Sequence, residues 1–187
     1  MARLTATLRA LGYQFRDTAA ALPGPLQGDI EAGLAELERL VGKIPATLAD
    51  FYRVIGSIDL RGSHAEWAGC AYPDPLVVEP LEAVLAEARD YAALEDPAAE
   101  YWASGTGRFR APVAPDALHK AGQSGGMWYS VEIPGNVADP VVLEEPHGLP
   151  FSEYVGLALA WGGFPGLERC RDHTWPLAQL LEAARAG

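Results

Sequence analysis

The chain has 187 residues, 49% apolar and 21% charged, the balance of a globular domain long enough to bury a core without disulfides or metal. Its 25 acidic residues outnumber 14 basic ones for a formal net charge of −11, and the excess runs through both halves of the chain. Such a surface repels nucleic-acid phosphates and anionic membranes, which bind through Lys and Arg, and it steers basic protein partners toward itself.

At the N-terminus, Leu4, Leu8 and Leu11 recur at helical spacing, which predicts a short amphipathic helix. Thr5, Thr7 and Arg9 break the unbroken apolar run that a signal peptide needs. The stretch "ALPGPLQGD" then interrupts any helix, so residues 1–25 read as an N-terminal helical arm with its linker, and residues 26–187 as one domain. Asp29 can cap a helix through Val41, with Gly42 at its end and Pro45 stopping the chain before a second helix over residues 46–55.

"SIDLRG" alternates like an edge strand and "PLVVEP" reads as a short buried one. From Pro80, "PLEAVLAEARDYAAL" is the cleanest amphipathic helix, with proline in its first turn. Residues 95–106 read as a loop, and "RFRAPVA", "WYSVEI" and "PVVLEE" as three strands. "FSEYVGLALAW" makes a helix closed by Gly162 and Gly163, and "TWPLAQLLEAARAG" a last one. Helices, then strands joined by short turns, then helices predict an α+β fold with a mostly antiparallel central sheet packed by helices.

No window approaches the ~18 apolar residues of a membrane span. Cys70 and Cys170 stand without a CxxC or a cysteine framework, the usage of a reducing compartment. A cytoplasmic location is the expectation.

The stretch "APDALHKAGQSGGMWYS" offers the most chemistry. Ser124, Gly125 and Gly126 could present backbone N–H groups to an anion, with Lys120 and His119 beside them. A P-loop needs GxxxxGK[ST] running from strand into helix, and a serine nucleophile needs G-x-S-x-G. Neither pattern is present, and a glycine-turned loop entering a strand is the competing reading. Cys170 and His173 are three apart, but zinc takes four ligands and no second close pair of that kind exists. No metal or cofactor is expected. Neither cysteine carries a local mark of activation toward His119 or His147.

"ELERLVGKIPATLADFYRVIGSIDLRG", residues 36–62, resembles the opening of the SUKH superfamily, which includes a Smi/Knr-type cell-wall regulator of yeast. The pattern is a helix ending in an apolar residue (Leu40), an apolar-Pro pair (Ile44-Pro45), and a helix with Leu48, Phe51 and Tyr52 before a glycine, Gly56. Ile55 stands where the family often has Asn. "MWYSVEI", "ADPVVLEE" and "PFSEYVGLALAWGGFPG" are similar, in order, to the family's strand, strand and closing helix. The segment around His119 looks like a loop of some bacterial members.

The resemblance implies a SUKH-like α+β domain with no catalytic residues. It implies an immunity-type protein that neutralises a cognate bacterial toxin, a partner expected to be basic. Loop positions then nominate Asp59, Arg61, His64, Glu66 and Trp67, with His119, Lys120, Ser124, Gly125 and Gly126, as partner- or ligand-binding residues. Two other readings stay open. One is a small-molecule enzyme or sensor using the His119–Gly126 loop. The other is a regulatory scaffold that uses the apolar face of the N-terminal helix.

Overall fold

Asp29 sets the first turn of a helix over Ile30–Val41 (α2) by accepting a hydrogen bond from the Ala32 N–H at 3.1 Å. A capping carboxylate satisfies one of the orphan N–H groups that every helix start leaves. Gly42, at φ +92°, ends the helix. Pro45 then opens Ala46–Val54 (α3), whose Leu48, Phe51 and Tyr52 enter the core. The computed structural model describes residues 2–17, 29–65, 73–95 and 108–169, with single helical positions at 179 and 182. The linker, most of the loop expected over 95–106 and the final helix fall almost wholly outside the described residues.

The remaining elements follow in order. Ala2–Ala10 (α1) and Gln14–Phe15 (β1) precede α2, and Ile58–Asp59 (β2), Gly62–Ser63 (β3) and Val77–Val78 (β4) follow α3. Leu81–Ala92 (α4), Phe109–Ala114 (β5), Ala117–Lys120 (α5), Tyr129–Ile133 (β6) and Phe151–Ala160 (α6) complete the list, with a 3-10 turn at Pro165–Arg169.

The strands form three antiparallel pairs, β1 with β3, β2 with β4 and β5 with β6. The Glu79 N–H donates to the Val113 carbonyl at 2.8 Å and ties the end of β4 to β5. This is the α+β architecture expected from the sequence, although helices and strands are more interleaved along the chain than the expected helices-then-strands-then-helices order.

β5 and β6 set the two faces of the main pair. Phe109 faces Ile133 and Ala111 faces Val131 on the core side, while Arg110 opposite Glu132 and Pro112 opposite Ser130 lie on the outer side. Period-two alternation produces this directly. α4 packs across α2 through buried Leu81, Val84, Leu85 and Ala88.

Three features differ from the expectations. α1 packs as part of the core, since Leu4 and Leu8 are at most 1% exposed and the Tyr13 hydroxyl donates to the buried Leu60 carbonyl at 2.7 Å. It therefore offers no free apolar face there. "PVVLEE" makes only isolated bridges, Ser130 with Leu143 and Val141 with Pro150. Pro140 lacks an N–H and Glu144 sits at φ +64°, so no ladder can extend. Residues 117–120 form a one-turn helix inside the supposed loop. Asp116 caps it, and Gly122 (φ +77°) closes it, with the Gln123 N–H on the Leu118 carbonyl and the Gly122 N–H on that of His119.

Candidate functional site

The one-turn helix α5 turns Lys120 inward. Its ammonium donates to Asp74 Oδ1 at 2.7 Å and lies 4.6 Å from the centre of the Tyr129 ring. The Tyr129 hydroxyl donates to Asp74 Oδ2 at 3.1 Å. Lys120 and Asp74 are 4% and 6% exposed. A buried charge of this kind persists only when its partners are close and complete. Burial pulls the Lys120 pKa below its usual value, against the opposing attraction of Asp74. Burial and the neighbouring Asp74 carboxylate hold the Tyr129 phenol well above its own. Tyr154 stacks edge-on to Tyr129, and its buried hydroxyl has no hydrogen-bond partner among the described residues.

Backbone conformation calls for glycine at both 125 and 126, and space calls for it at 126 as well. Both have positive φ, +112° and +85°, and a Cβ on Gly126 would lie 1.6 Å from Asp116 Oδ2. Asp116 in turn accepts from the His119 N–H at 2.8 Å and meets His119 Nδ1 at 3.0 Å. The loop is thus built around its own capping carboxylate. Ser124 is exposed at its tip. An open depression of about 370 Å³ lies between the β1–β3 pair and Gly122, but the Lys120 ammonium is turned away from it, onto Asp74.

The residues nominated after α3 brace the neighbouring strands. Arg61 forms a two-pronged pair with Asp59, closest at 2.6 Å, and its carbonyl accepts from the Arg16 N–H. His64 Nε2 meets the Leu11 carbonyl at 3.0 Å. Glu66 and Trp67 lie outside the described residues. Gly62 and Ser63, next to Arg61 and His64, line the same open depression as Lys120 and Gly122, so the two nominated groups adjoin there.

A separate depression lies on the outer side of β5. Between β5 and α4 runs a trough whose largest part, a cavity of about 280 Å³, is bounded by Glu79, Ala83, Glu87, Pro112 and Trp128. Its continuation runs past Asp90, Tyr91 and Arg110, with Met127 beyond Trp128. The trough's lining combines apolar Pro112, Tyr91 and Trp128 with the acids Glu79, Glu87 and Asp90 and the base Arg110.

His119 stacks near Trp128, ring centres 6.1 Å apart, and so supports one wall of the cavity. Glu79 is half-buried; burial raises its carboxyl pKa, with Arg61 and Lys120 pulling back and Asp59 adding to the rise. Sequence reasoning misses Glu79, Glu87 and Pro112 because each reads as an ordinary helix-flanking or strand residue. The available signal was that Glu79, Ala83 and Glu87 recur every four residues up to and along α4, one face of a helix.

A further polar cluster joins the loop after Leu143 to the 3-10 turn: His147 lies between Glu145 at Nδ1 and Glu168 at Nε2. Burial opposes the charged ring, but hydrogen bonds to the two carboxylates outweigh it and raise the His147 pKa. Among the described residues, no three His, Cys, Asp or Glu side chains are grouped as a metal site, and no helix is long and apolar enough to cross a membrane.

No family model, no curated protein and no solved structure matches the chain.

Proposed function

We propose that the chain is a non-catalytic protein-binding module of the SUKH type, acting in the cytoplasm as an immunity-type protein that occludes a basic toxin domain. The observation that carries this reading is the trough between α4 and β5. It is lined by apolar Pro112, Tyr91 and Trp128 and by the carboxylates Glu79, Glu87 and Asp90, which outnumber the one lining cation, Arg110, on a chain of net charge −11. Apolar surface beside charge suits a protein interface, and the sign of the excess charge selects a cationic partner and speeds its arrival.

Further support comes from the helix–Pro–helix opening. Ile44, Leu48, Phe51 and Tyr52 fill the core, and Gly56 adopts φ +84° after α3. Those are the positions on which the SUKH resemblance rests.

The test is capture of partners from the native host by the tagged full chain at low and at high salt, read by mass spectrometry. The expected result is a stoichiometric basic protein that is retained at low salt and loosened at high salt, because exposed charge pairs are screened. Absence of any stoichiometric partner at low salt would overturn the reading.

A further inference from the structure

We propose that the cavity between Glu79, Glu87 and Trp128 receives an arginine side chain of the partner. This rests on the binding-module reading and deepens it by naming the group recognised.

Among the described residues, the acids drawn away from solvent are otherwise matched. Asp59 holds Arg61, Asp74 holds Lys120, Glu36 holds Arg89, Glu132 holds Arg108, and Asp139 accepts from Thr47 and Ser152. Asp116 and Glu145 meet histidines. Glu79 alone of these half-buried or buried acids accepts no hydrogen bond and forms no ion pair. A partly desolvated carboxylate without a donor is costly to hold, and this one borders an open cavity rather than a packed wall.

The other walls fit a guanidinium in particular. Trp128 offers an indole, the best aromatic partner for a cation, and a planar guanidinium stacks on such a ring while donating from its edge. Glu87, one turn along α4 from Ala83, supplies a second carboxylate that likewise has no ion-pair partner among the described residues. Ala83 and Pro112 give apolar walls for the methylene stem. Burial holds the Glu79 carboxyl pKa up despite the attraction of Arg61 and Lys120, so an entering cation would supply the direct donor that the carboxylate lacks among the described residues.

The test uses the full chain and Nα-acetyl-arginine methylamide as probe, following the indole N–H signal of Trp128 by NMR, assigned by its loss in Trp128→Phe. The expected result is a saturable shift of that signal. It should be several-fold weaker with the lysine analogue and absent with the neutral citrulline analogue. In the Glu79→Gln/Glu87→Gln double variant the apparent affinity should fall at least tenfold. Equal response to citrulline, or an unchanged response in the double variant, would overturn the proposal.

Partner capture separates the two claims. A basic partner retained undiminished by the double variant would overturn the arginine pocket while leaving the binding-module reading in place. A saturable, charge-dependent arginine response with no partner captured would support the pocket and overturn that reading.

Discussion

Asp74 and Glu79 lie at the two ends of the same short segment, on either side of β4, and the fold treats them in opposite ways. Asp74 is buried, and each of its oxygens has a donor, one from Lys120 and one from Tyr129. Glu79 is half-buried, and among the described residues its carboxylate has neither hydrogen bond nor ion pair. The first is charge that the chain buries and satisfies from within. The second is charge bordering a cavity, attracted by Arg61 and Lys120 without a direct donor among the described residues. An interior charge network holds a fold in register, whereas a carboxylate without a direct donor is where the proposed partner would bind.

The sharpest way to test the first half of this comparison is to remove the internal partner. Lys120→Ala leaves the Asp74 carboxylate buried with only the Tyr129 hydroxyl, and a cost of about 3–5 kcal/mol is expected, read from denaturant unfolding. Lys120→Met combined with Asp74→Asn removes both charges, and Asn tolerates the positive φ of +48° at that position. The pair should recover much of the loss. Recovery separates a charge left unpaired from a hole left unfilled.

The loop that delivers Lys120 predicts the next largest effect. Gly126→Ala forces a Cβ into the Asp116 carboxylate at positive φ, and should cost about 1–3 kcal/mol. Gly125→Ala shares the unfavourable φ, yet its Cβ would meet nothing nearer than Leu118 Cδ1 at 3.9 Å. Its cost should be the smaller of the two. Equal costs would mean that Asp116 does not depend on the space Gly126 leaves.

His147 offers a satisfied charge that titrates. A neutral imidazole has a single N–H, so facing Glu145 and Glu168 together requires the protonated ring. Its folded pKa is raised above 6.5, and the unfolded value stays near that reference. The stabilisation is therefore fully present below pH 6.5 and is lost as pH rises through the folded value. Urea midpoints of the native chain should fall over that interval. His147→Gln should flatten the profile, and an unchanged slope in the variant would sink the assignment.

The elements were legible where local chemistry and tertiary packing agree. Asp29 and Gly42 bound α2, Pro80 starts α4, and the alternation in "RFRAPVA" puts Phe109, Ala111 and Val113 inside. α5 escaped because four residues carry no periodicity, although Asp116 and Gly122 are ordinary start and stop residues. "PVVLEE" misled because apolar composition says nothing about the φ of Glu144. The site was less legible for a deeper reason. Lys120 looks like a loop cation in sequence, and only the placement of Asp74, 46 positions earlier, turns it into the core. Glu79, Pro112 and Trp128 are separated by 33 and 16 positions, so no local pattern joins them, and their meeting is a property of strand order.

The second half of the comparison makes a smaller prediction of opposite sign. Because burial raises the Glu79 pKa, the folded state holds its proton more tightly than the unfolded chain does. The associated stability is present below the unfolded reference of 4.5 and is lost as pH rises through the folded value. Glu79→Gln keeps the shape without the charge. It should therefore raise the denaturation midpoint at pH 7 and make no difference near pH 4. The same variant should weaken capture of a basic partner. A substitution that stabilises the chain while loosening its partner is the signature of a residue retained for binding rather than folding. A Glu79→Gln variant that is destabilised at pH 7 would instead place Glu79 with Asp74, as a charge the fold needs for itself.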